Sequence, residues 1–95
     1  DFRIATATRT YSITINVHTV GGAPVAGESV MLVKQGDFEL QQATNAAGDA
    51  TFTDLWPGVY SGLPPSGSAY YYNPDQLVFP LADRDLRQEY EVTPK

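Results

Sequence analysis

Proton transfer near neutral pH asks first for histidine, and this chain of 95 residues holds one, His18. A lone imidazole catalyses only beside a nucleophile that it can deprotonate, and no Gly-x-Ser-x-Gly elbow or comparable motif supplies one. His18 falls on the outward side of the run Thr10 to Val20, so a solvated surface side chain is the expectation. Cysteine is absent, which excludes disulfides, thiolate metal sites and thiol nucleophiles. Calcium needs several clustered oxygens, and the candidates are Asp83 with Asp85 in one turn and Asn45 with Asp49 in another. Neither pair follows a calcium-loop spacing, and acids in such turns ordinarily cap backbone amides. No catalytic residue, metal ligand or cofactor is therefore expected.

Binding has better candidates. Trp56 lies in the short connection Leu55-Trp56-Pro57-Gly58, and Tyr71 points outward if Tyr70 and Tyr72 point inward. Flat exposed rings stack on sugar faces and anchor protein interfaces, so Trp56 and Tyr71 are the candidate ligand-binding residues, for a glycan or a protein. A shared platform requires both rings to be exposed on one surface.

Charge narrows the partners. Eleven acids against six Lys plus Arg give a net charge of −5, and the basic residues are dispersed. Nucleic acid is excluded as a partner, because phosphate binding needs a basic stripe that releases counterions. Apolar stretches run to only a few residues, too short for a membrane-spanning helix, so no membrane insertion is expected. No basic-then-apolar leader opens the sequence, which reads as a mature or excised module.

The elements that must position these side chains are strands. Val, Ile, Thr, Tyr, Phe and Trp supply 31 residues, and 15 more are Gly or Pro, a balance that favours short strands broken by turns. Thr10 to Val20 alternates, with Tyr11, Ile13, Ile15 and Val17 on one face. Further strands are expected over Glu28 to Lys34, Phe38 to Thr44, Asp49 to Leu55, Val59-Tyr60, Tyr70 to Tyr72, Gln76 to Leu81 and Leu86 to Val92. Gly21 to Pro24, Gln35 to Asp37, Asn45 to Gly48 (as a hairpin), Asn73-Pro74-Asp75 and Asp83 to Asp85 punctuate them, with Pro74 ending its strand, while Gly62 to Ser68 reads as irregular. Residues 1–9 read as a linker or an edge strand and residues 10–95 as one domain. Seven or eight short strands at about ten-residue spacing make a sandwich or barrel. The expected core is Ile13, Ile15, Val17, Val30, Leu32, Phe52, Leu55, Tyr60, Tyr72 and Val92.

Three segments, SITINVHTVGGAPVAGESVMLV, TNAAGDATFTDLWPGVY and YYYNPDQLVFPLADRDLRQEYEV, resemble in order the carboxypeptidase regulatory-like and collagen-adhesin B-type domains. The likeness lies in the Gly-x-Pro-Val-x-Gly turn, the Thr-Asn-x-x-Gly motif and the Leu-x-Pro-Gly-x-Tyr connection, and covers about Tyr11 to Thr93. It implies an all-β, transthyretin-like (prealbumin-like, Ig-like) antiparallel β-sandwich of seven to eight strands. Domains of that kind serve as spacers, stalks, pilin modules and accessory domains.

Enzymes of similar fold fail by residue count, since hydroxyisourate hydrolases and iron-dependent intradiol dioxygenases each use more than one histidine. Many B-type domains carry an internal cross-link from a Lys on the first strand to an Asn or Asp on the last. Here the lysines are Lys34 and Lys95, and Leu86 to Thr93 holds neither Asn nor Asp, so no cross-link is expected. The resulting expectation is a non-catalytic extracellular or cell-surface module, a spacer or accessory domain of a larger bacterial surface or secreted protein. Its partners are then neighbouring domains of the same polypeptide. The alternative is a carbohydrate- or protein-binding module using Trp56 and Tyr71.

Overall fold

A computed structural model describes residues 10–34, 38–65, 67–73 and 76–95. The expected linker or edge strand over residues 1–9, the turn at Gln35 to Asp37 and the strand end at Pro74 lie outside them.

Among the described residues eight strands form: β1 (Tyr11–Thr19), β2 (Ser29–Lys34), β3 (Phe38–Ala43), β4 (Asp49–Leu55), β5 (Gly58–Leu63), β6 (Tyr70–Asn73), β7 (Leu77–Leu81) and β8 (Leu86–Pro94). They build two four-stranded sheets, one ordered β4-β1-β8-β6 and the other β3-β2-β5-β7. The fold is the expected all-β sandwich, with antiparallel pairing throughout these sheets except between β1 and β8, which run parallel.

Period-two alternation carries the core. Ile13, Ile15 and Val17 of β1 and Tyr90 and Val92 of β8 are fully buried, and face Val30, Leu32, Tyr60 and Phe79 of the other sheet. Phe52 and Leu55 close the β4 side at 3% exposure each. Tyr72 departs from the expected core in degree: it packs against the cluster from the edge but is only partly buried. Its ring meets that of Tyr90 edge-on, with centroids 4.9 Å apart, and its hydroxyl turns to a polar partner instead.

Two connections differ from the expected ones. The Asn45–Gly48 turn has the anticipated chemistry, with Asn45 Oδ1 accepting from the amides of Ala47 and Asp49. Gly48 is required there, because its φ is 82° and a Cβ would lie 2.5 Å from the Val17 carbonyl oxygen. Yet β3 and β4 belong to different sheets, so the turn crosses between layers and does not close a hairpin. Gly62 and Leu63, expected to be irregular, continue β5, with Gly62 paired to Leu32 and Leu77. A Cβ on Gly62 would sit 3.1 Å from both Ile15 Cδ1 and Phe79 Cε2, so the bare backbone makes room for two core side chains.

Near the end of β4 the register with β1 shifts between Tyr11 and Ile13, and Asp54 takes a left-handed φ of 58°. The irregularity lies on an edge strand, where such a bulge hinders pairing with another chain.

Candidate functional site

The parallel pairing of β1 with β8 fixes where every candidate residue lies. Seven consecutive pairs run from Ile13↔Leu86 to Thr19↔Val92. Because the two strands point the same way, the start of β1 and the end of β8 lie at opposite ends of the sheet. We call these the entry end and the exit end.

At the entry end, Leu55 pairs with Tyr11, so Trp56 follows directly beside the start of β1. Asp85 accepts a hydrogen bond from the Ser12 amide at 2.8 Å, which ties the start of β8 to the start of β1. Asp85 thus caps a backbone amide, as expected of a turn acid. Trp56 is 50% exposed, and its carbonyl accepts from the buried Tyr60 hydroxyl at 2.6 Å. The Trp56 backbone therefore belongs to the fold, while its indole is available to solvent.

At the exit end, Tyr71 pairs with Thr93 on the far edge of the same sheet and is 63% exposed. The Lys95 ammonium stands 5.5 Å from the Tyr71 ring centroid, and the Lys95 amide donates to Ala69 O at 3.0 Å. The other lysine, Lys34, stands 5.7 Å from the Tyr60 ring centroid.

Both candidate rings are exposed, but the structure does not bring them together. Trp56 lies level with the start of β1 and Tyr71 just past its end, a separation of about 30 Å at roughly 3.3 Å per residue. They also lie on opposite edges, since β4 and β6 flank the sheet. One sugar or one short peptide does not reach both. Alternation identified Tyr71 as exposed and a turn position identified Trp56; their separation depends on the direction of β8 relative to β1, which neither signal encodes.

The outer face of the β1–β8 pair carries a polar network. Asn16 Nδ2 donates to Asp49 Oδ1 at 2.8 Å, and Arg87 Nη2 stands 3.2 Å from that same carboxylate oxygen. Asp49, on β4, is thereby held by β1 and by β8. His18 Nδ1 lies 3.0 Å from Asn16 Oδ1 and 3.5 Å from Glu89 Oε1. Asn16, His18 and Glu89 line a shallow open depression together with Gly22, Pro24 and Ala47. Neither Asn16 nor Glu89 carries a hydroxyl or thiol for His18 to deprotonate, and the two contacts serve to orient the imidazole. Among the described residues no group of three or more His, Asp or Glu could hold a metal ion.

Two polar groupings, one buried and one partly buried, were not singled out in the sequence. Thr44 Oγ1 donates to Val25 O at 2.7 Å and accepts from the Glu28 amide at 2.9 Å, which locks the Pro24–Glu28 turn. One carboxylate oxygen of Glu28 accepts from both the Ser68 and Tyr72 hydroxyls. Burial, then the hydrogen bond and charge of Glu28, push the Tyr72 phenol well above the usual tyrosine range. Ser68 and Tyr72 lie 40 and 44 residues from Glu28 along the chain, so only the tertiary fold brings positions 28, 68 and 72 together.

No protein-family model matches the chain, and no curated protein sequence matches it significantly. Solved structures do resemble it. The major pilin subunit BcpA of Bacillus cereus aligns with a TM-score of 0.77 at 16% identity, over 92% of this chain and 29% of that one. A DUF3823 family protein of Parabacteroides merdae aligns with a TM-score of 0.71 at 16% identity, over 90% and 46%. The minor pilin of Streptococcus agalactiae aligns with a TM-score of 0.70 at 16% identity, over 90% and 46%. The chain thus spans less than half the length of each of these proteins. At such identities the likeness concerns the fold: this is a β-sandwich of the transthyretin-like and Ig-like class, of the kind found as one domain within longer pilin proteins.

Proposed function

We propose that the chain is a non-catalytic spacer or accessory module of a larger surface-exposed or secreted protein, related to the carboxypeptidase regulatory-like and collagen-adhesin B-type domains. The observation that carries this reading is the parallel β1–β8 pair, which admits the polypeptide at one end of the sheet and releases it at the other. A module of that shape adds its own length, about 30 Å from nine-residue strands, to any chain threaded through it. The likeness to a major pilin subunit and a minor pilin supports an extracellular, cell-surface setting.

In this reading Trp56 and Tyr71 are contact points for neighbouring domains of the same polypeptide, one at each end. A single sugar or short peptide engaging both rings is disfavoured by their separation. The test is replacement: within the polypeptide that carries the module, an unrelated rigid sandwich of equal end-to-end span should preserve function. Loss of function on replacement, together with glycan or protein binding by the isolated module that Trp56→Ala weakens, would establish the binding reading in its place.

A further inference from the structure

The same strand pair that sets the span also has the geometry to resist force. A pull between the start of β1 and the end of β8 runs along both strands in opposite senses, so it loads their hydrogen bonds side by side. We infer that the β1–β8 pair is a non-covalent mechanical clamp, which keeps the module folded under tension along the polypeptide. This inference rests on the spacer reading and adds load-bearing to it.

The backbone supplies the bonds. Val17 uses its amide to reach Gly48 O and its carbonyl to accept from Val25, both on the side away from β8. Strand alternation therefore turns the amides and carbonyls of Thr14, Asn16 and His18 toward β8, giving about six inter-strand bonds in evenly spaced parallel geometry. Water competes poorly for them from within, because Ile13, Ile15, Val17, Tyr90 and Val92 beneath the pair are fully buried. On the outside, Arg87 of β8 and Asn16 of β1 share the Asp49 carboxylate of β4, so sliding β8 past β1 must also disrupt that junction. The entry end is pinned by Asp85 to the Ser12 amide.

Direction distinguishes a clamp from general stability. A load applied to the start of β1 and the end of β8 shears all the bonds together. A load applied to the loop after β1 and the end of β8, both at the exit end, opens the pair one bond after another. The experiment uses the intact 95-residue chain with handles on paired cysteines, since the wild type has none. Thr10→Cys with Lys95→Cys gives the shear geometry, and Ala23→Cys with Lys95→Cys the unzipping geometry. Single-molecule pulling should give a rupture force at least about threefold higher in shear, because roughly six bonds then fail together and forced unfolding follows the barrier and not the equilibrium. Within the shear geometry, Val17→Ala on β1 should lower the rupture force more than Leu81→Ala on β7, even where the two cost equal stability. Equal forces in the two geometries, or a larger drop from Leu81→Ala, would overturn the clamp while leaving the spacer reading to its replacement test.

Discussion

The Tyr72 hydroxyl donates to the Glu28 carboxylate, and this contact ties edge strand β6 of one sheet to the chain entering β2 of the other. It also makes the fold sensitive to alkali. Tyrosine ionises near pH 10 in an unfolded chain, and in the fold Tyr72 is held well above that by burial and by Glu28. The folded state therefore favours the protonated phenol. The stability due to that preference is fully present below about pH 10 and is lost as pH rises above it toward the folded value. Thermal unfolding measured from pH 8 to 11 should show a steeper alkaline loss in wild type than in Tyr72→Phe. Parallel profiles would mean that the phenol has no such role.

Phe52 closes the β4 side of the core at 3% exposure, paired across to Ile13. Phe52→Ala should cost about 3–5 kcal/mol in chemical denaturation, through lost burial and an unfilled cavity. That is a large fraction of the total for a domain of this size. A loss under about 1 kcal/mol would be incompatible with the strand register described above.

Asp54 is exposed and holds a φ of 58°, a region that β-branched residues strongly avoid. Asp54→Val should therefore lower stability by about 1–2 kcal/mol, although no buried contact is removed. Asp54→Gly relieves the backbone and should be neutral or slightly stabilising. Denaturant midpoints of the two variants check the pair, and the reverse ranking would place the strain elsewhere.

Lys34 and Lys95 each lie against a tyrosine ring. Intact mass should equal the sequence mass. A deficit of one ammonia or one water, with Lys34 or Lys95 in a cross-linked peptide, would show a covalent staple and shift mechanical strength from hydrogen bonds to that bond.

Much of the fold is legible in the sequence, because alternation is a local property. The run from Tyr11 to Val17 announces its buried face, and Asn45 with Gly48 announces a turn. What alternation does not encode is which strands meet. Asn45–Gly48 looks like a hairpin locally but crosses between sheets, and Gly62 looks like a breaker until Ile15 and Phe79 are seen to need its space. Tyr90 alternates in step with Val92, yet its place in the core depends on donating its hydroxyl to Gly62 O at 2.7 Å, a partner 28 residues away. The candidate site follows the same division: the exposure of Trp56 and Tyr71 is local, whereas their separation is set by the parallel course of β8.

That parallel course is the central claim, and one distance tests it. Ser12 lies on β1 at the entry end, and Thr93 lies on β8 just past the partner of Thr19. Spin labels on Ser12→Cys and Thr93→Cys should be about 25–30 Å apart, from eight residues of strand at roughly 3.3 Å each. A separation near 10 Å or below would mean that β8 runs antiparallel to β1, with entry and exit at the same end, and would contradict both the spacer and the clamp.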